Sequence, residues 1–194
     1  MPGRKLFNIV TIIFILITAG NAYGYEDGFG QAKKLTTKQF EVYYSPQLDL
    51  SVLAGRLRIS FSDRVLAGTD PKQSGSIGGP VFAEALDTLF LSVCSILDMN
   101  LYSFQGTIKI CRDTSQLNDI YFSLFRSSLG GRFSFYSSDL NTIYISQEHF
   151  EREVLGHEIA HAIMSRYFVV QPPVKASEVL AGYVEYQLRK SGQR

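Results

Sequence analysis

The sequence predicts an α+β domain in which a small mixed or antiparallel sheet packs on helices. Three observations lead there. Short runs of β-branched and aromatic residues with period-two alternation recur along the chain, and stretches with apolar residues at helical spacing separate them. Two further helical stretches, parted by Pro172-Pro173, close the sequence.

The chain opens with Arg4-Lys5, a mostly apolar run over 6–18 and the small residues Ala19-Gly20-Asn21-Ala22. This is the layout of a cleavable signal peptide, residues 1–22. The apolar run is shorter than the roughly 20 residues a spanning helix needs. Export to the periplasm or the medium is therefore expected, with no stable membrane insertion after cleavage. Removing 1–22 takes away Arg4 and Lys5 and leaves 17 basic residues against 18 acidic ones, a net charge of about −1. With no basic excess, nucleic acid is excluded as the expected partner. Residues 23–39, rich in Gly, Lys, Thr and Gln, read as a loose leader, and 40–194 as one domain.

Within that domain Phe40-Glu41-Val42-Tyr43-Tyr44 alternates as a strand and ends at Ser45-Pro46. Leu50, Leu53, Ala54, Leu57 and Phe61 recur at helical spacing and predict a helix over 48–60. Residues 68–80, dense in Gly, Ser and Pro, form a loop. Pro80 opens a helix to Met99 whose buried stripe includes Ala85, Leu89 and Val93. A strand over 107–111 follows, then a helix over 115–125 that directs Tyr121, Phe122 and Phe125 to the core. Strands over 132–136 and 142–146 are joined by turn residues at 137–141. Cys94 and Cys111 are the only cysteines, and their placement allows either a disulfide or two separately buried thiols.

The chemistry concentrates in Val154-Leu155-Gly156-His157-Glu158-Ile159-Ala160-His161-Ala162-Ile163. His157 and His161 stand at i and i+4, hence on one helix face, where two neutral imidazoles can grip one zinc ion. Glu158 lies about 100° further round, placed to hydrogen-bond a metal-bound water as general base rather than to ligate. The uncharged flanks suit a helix buried against a core. Hydrolytic zinc wants three protein ligands and an open position, and no third histidine follows His161, which argues against the metzincin arrangement.

After the prolines comes Ser177-Glu178-Val179-Leu180-Ala181-Gly182-Tyr183-Val184-Glu185-Tyr186, on a second helix capped by Ser177 or an earlier residue. Here the sequence resembles the gluzincins, the zinc peptidases with a His-His-Glu ligand set, and in particular their compact single-domain members. Glu178 matches the ligating glutamate, Ala181 the small residue after it, and Tyr183-Val184-Glu185 the tail of the pattern; Val179 stands where the family usually has glycine. Glu185, two turns on and near the same face, is the rival ligand, or a carboxylate orienting a histidine, or a solvated residue. Gly182 occupies the place of the aspartate found in thermolysin-like sites. Close approach of the two helices is the motive expected for it.

The resemblance implies a zincin-like fold, in which the histidine helix is followed by the glutamate helix and an edge strand, 143–146 or its neighbour, holds an extended peptide. It implies a peptidase with zinc on His157, His161 and Glu178, Glu158 as general base, and a peptide or protein substrate. An oxyanion-stabilising residue is not matched; Tyr167, Tyr183, Tyr186 and His149 are the nearby candidates. The family's usual far wall of the cleft has no counterpart among these residues, which leaves open a small substrate range, a protein partner completing the cleft, or weak activity. The alternative is a secreted zinc-binding module, weakly active or inactive, with a scaffolding role. That module would need the three ligands but not Glu158.

Overall fold

The computed structural model describes residues 27–59, 78–101 and 103–192. The signal peptide expected at 1–22 and most of the loop expected at 68–80 lie outside them. The elements in order are β1 (Lys33–Thr36), β2 (Phe40–Tyr44), α1 (Leu50–Arg56), α2 (Gly79–Leu97), β3 (Gly106–Cys111), α3 (Thr114–Phe125), β4 (Ser134–Ser137), β5 (Thr142–Ser146), a 3-10 turn (Gln147–His149), α4 (Arg152–Tyr167) and α5 (Val174–Ser191). Among the described residues the fold is mixed α+β, with five helices and one mixed sheet.

The sheet order is β1-β2-β3-β5-β4. Its centre is parallel: Val42 stands opposite Ile108, and Ile108 opposite Ile143. Both edges are antiparallel, β1 on β2 and β4 on β5. Parallel neighbours need crossovers; α1 and α2 connect β2 to β3, and α3 lies in the connection that leads from β3 to the β4–β5 hairpin. Alternation sends one face of β3 and β5, Ile108, Ile110, Ile143 and Ile145, into the main core with α1, α2, α4 and α5. The other face packs Cys111, Phe135 and Tyr144 against Leu117 and Ile120 of α3.

Local chemistry sets the helix ends. Pro80 sits in the first turn of α2, and Asp98 ends that helix in the left-handed conformation. Helix α2 is long and apolar enough to cross a membrane by length and composition, and Phe82, Leu86, Leu89, Phe90 and Val93 spend that apolarity in the core. Asp113 caps α3 by accepting from the Gln116 N–H at 2.8 Å.

Two expectations need correction. Residues 23–39 are not loose where described: Lys33–Thr36 pairs with β2, Phe29 is buried, and the Asp27 carboxylate accepts from Lys109 Nζ and the Tyr144 hydroxyl, each at 2.5 Å. A four-residue edge strand reading Lys-Lys-Leu-Thr carries almost no hydrophobic signal, because edge strands favour charge. Phe122 and Phe125 do not enter the core; they are 56% and 44% exposed, since α3 buries only Leu117 and Ile120. The two cysteines are free and buried in separate clusters on opposite faces of the sheet, which rules out their pairing. Burial pushes their thiols up to about 11 for Cys94 and about 12 for Cys111.

Candidate metal centre

Helix α4 follows β5 through the 3-10 turn and runs under the sheet, burying Leu155, Ile159, Ile163 and the small residues Gly156, Ala160 and Ala162. Helix α5 folds back along it after Pro172-Pro173, without a side-chain cap at its start. The face α5 turns to α4 carries Glu178, Ala181, Val184, Glu185 and Leu188, spaced by three and four residues; Ala181, Val184 and Leu188 are fully buried. The helices meet tightly at Gly156, where an added Cβ would lie 2.2 Å from Leu188 Cδ1. Gly182, expected to serve that close approach, has nothing within 4 Å of an added Cβ. Position 182 looks away from the contact; position 156, beside the first histidine, makes it.

This packing brings the candidate ligands together. His157 Nε2 and His161 Nε2 are 3.2 Å apart, and the Glu178 carboxylate stands 3.6 Å from each through its two oxygens. The ligand atoms lie within 4.8 Å of one another. Three donors bound about 2.0–2.2 Å from a tetrahedral ion would be about 3.3 Å apart, so the spacing fits a metal centre. Burial lowers the pKa of His161, His157 beside it lowers it further, and Glu178 partly opposes both. The neutral imidazole that a metal requires is thereby favoured.

Glu185 faces the other side of His157. Its Oε2 is 3.6 Å from His157 Nδ1, a buried atom without a hydrogen-bond partner, while Arg189 Nη2 holds its Oε1 at 2.5 Å. Of the two rival glutamates, Glu178 faces both Nε2 atoms and Glu185 backs the first ring, in the place of a carboxylate that fixes a ligand histidine's tautomer. Glu158 is buried, and its Oε1 accepts from the Ser134 hydroxyl at 2.7 Å. Burial pushes its carboxyl up to about 7; the Glu178 charge adds to this, and the Ser134 hydroxyl, Arg132 and the Tyr136 N–H oppose it. A carboxyl so poised can take and return a proton near neutrality.

The site opens into a cleft of about 710 Å³ between α4, α5 and the start of the β4 hairpin. Strand β4 is the sheet edge, so of the two positions expected to line a cleft it is the neighbour, not 143–146, that does so; β5 is paired on both sides. None of Tyr167, Tyr183, Tyr186 and His149 lines the cleft. The three tyrosines project outward, 46%, 48% and 58% exposed, and His149 stacks on Phe133 with ring centroids 3.6 Å apart. Residues not expected from sequence take their place: Arg132, Ser134 and Tyr136. Ser134 and Tyr136 alternate along β4, a usable signal since alternate strand residues share a face, whereas Arg132 precedes the strand and carried none. No known protein family, curated protein or solved structure matches the chain.

Proposed function

We propose that the chain is an exported zinc peptidase of the gluzincin type, with a zincin-like arrangement of edge strand, histidine helix and glutamate helix. The observation that carries this reading is the convergence of His157, His161 and Glu178 at tetrahedral donor spacing beside the buried carboxyl of Glu158. When bound, zinc supplies a Lewis acid for the scissile carbonyl and lowers the pKa of a water towards about 7.

The protein's own groups do the rest. Glu158 accepts the proton of the attacking water and hands it to the leaving amine, held in line for both tasks by Ser134. Glu185, itself held by Arg189, keeps His157 oriented. The open edge of β4 offers backbone groups to an extended peptide, which places the scissile bond beside Ser134 and Glu158. A zinc-binding module without catalysis would have no use for a buried, hydrogen-bonded Glu158, whose burial without a metal is unfavourable.

The test is elemental analysis of the dialysed protein and its Glu178→Ala and Glu185→Ala variants, followed by digestion of a peptide library. One zinc per chain, lost on Glu178→Ala and kept in the presence of excess zinc on Glu185→Ala, is expected, with cleavage abolished by Glu158→Gln. Absence of stoichiometric zinc from the parent protein overturns the reading.

A further inference from the structure

The charges around the cleft are engaged in direct contacts except one, which acts on Glu158 and His161 only through its field. Glu178 would be neutralised by the metal, Glu185 is paired with Arg189, and Glu158 accepts from Ser134 inside the protein. Arg132 is the single lysine or arginine among the described residues lining the cleft, it is exposed, and no hydrogen bond or ion pair joins its guanidinium to another described residue. It stands two residues before Ser134, just ahead of the N-terminal end of the edge strand. A peptide added to β4 in the more stable antiparallel sense runs with its C-terminal side towards that end. Two residues span at most about 7 Å, so Arg132 lies within reach of a group one or two peptide residues beyond the scissile bond.

We propose that Arg132 is a specificity residue that selects substrates carrying a carboxylate one or two residues on the leaving side of the cleaved bond. The inference rests on the peptidase reading and extends it to a substrate class. The planar guanidinium matches a carboxylate through two parallel N–H···O bonds, which a lysine or a neutral residue cannot reproduce. The carboxylate has two sources, the free C-terminus of the substrate or an Asp or Glu side chain. The first makes the enzyme act near chain ends, the second makes it an endopeptidase reading acidic sequence.

The experiment uses the full chain with Glu158→Gln, loaded with one zinc, so that peptides bind without being cut. Three fluorescein-labelled peptide sets are titrated by anisotropy: a neutral C-terminally amidated peptide, the same peptide with a free carboxylate, and amidated versions with one glutamate moved along the sequence. One carboxylate set should bind about 10- to 100-fold more tightly than the neutral peptide. Adding Arg132→Ala should bring that set down to the affinity of the amidated peptide, and Arg132→Lys should restore only part of the difference. Tightening with the free carboxylate alone identifies the chain terminus as the recognised group; tightening with glutamate at one position identifies the side chain. Equal binding of all three sets, or a carboxylate preference that survives Arg132→Ala, overturns the role of Arg132 and leaves the peptidase reading standing. Failure of every peptide to bind the zinc-loaded protein overturns both.

Discussion

Replacing Glu158 with glutamine should stabilise the metal-free protein at alkaline pH and leave it little changed in acid. The carboxyl ionises near 7 in the fold against an ordinary 4.5. At about 1.4 kcal/mol for each tenfold change, ionising it in place costs about 3 kcal/mol. Below 4.5 folded and unfolded chains both hold the proton and no penalty arises. Between 4.5 and 7 the fold keeps a proton that the unfolded chain has released, so stability falls as pH rises; above 7 the whole penalty remains. Glutamine is neutral throughout and still accepts from Ser134, although its amide surrenders one acceptor position, so about 3 kcal/mol is an upper bound and at least about 1 kcal/mol is expected. His161, with its lowered pKa, contributes the opposite slope below 6.5, but equally in both proteins. The difference between them therefore isolates Glu158. Urea unfolding with chelator present, from pH 4 to pH 8.5, measures it. A difference that stays constant across that range refutes the argument that burial holds this carboxyl protonated.

Four further outcomes are expected. Gly182→Ala should stabilise the protein by up to about 1 kcal/mol, because the new methyl meets open space on a helix. Gly156→Ala should destabilise it by about 1–3 kcal/mol by driving Leu188 off the contact, both read from thermal or urea melts. Glu185→Ala should weaken zinc binding about 10- to 100-fold in chelator competition, with Glu185→Gln between the two, since the carboxylate backs His157 Nδ1. Cys94 and Cys111 should resist thiol reagents in the native state and both react after unfolding, as buried thiols with raised pKa do.

The histidine helix was legible because its information is local: the i, i+4 spacing of His157 and His161 and the apolar flanks specify a helix with both imidazoles on one face, and Thr142–Ser146 declares its strand by β-branched residues. Phe40–Tyr44 is legible for the same reason. What sequence did not reveal depends on who faces whom. Gly156 and Gly182 are indistinguishable until Leu188 is seen against one and open space against the other. Glu178 and Glu185 share a helix face, and only the docking of α5 decides which meets the Nε2 atoms and which meets Nδ1. Arg132 has no motif; the edge position of β4 puts it beside the cleft. The strap at 27–36 was missed because its anchor, Asp27 to Lys109 and Tyr144, pairs residues far apart in the chain.

The contact between Gly156 and Leu188 also bears on the order of folding. Every candidate ligand lies on a two-helix hairpin, with His157 and Glu178 about 20 residues apart, whereas the central strands must bring Phe40 to Gly106. Closing the short connection costs less chain entropy than pairing the distant strands, so the hairpin should assemble while the sheet is still open. An ion captured at that stage would clamp the two helices and favour the native register of Leu188 in its notch, turning metal uptake from a last step of maturation into an early one.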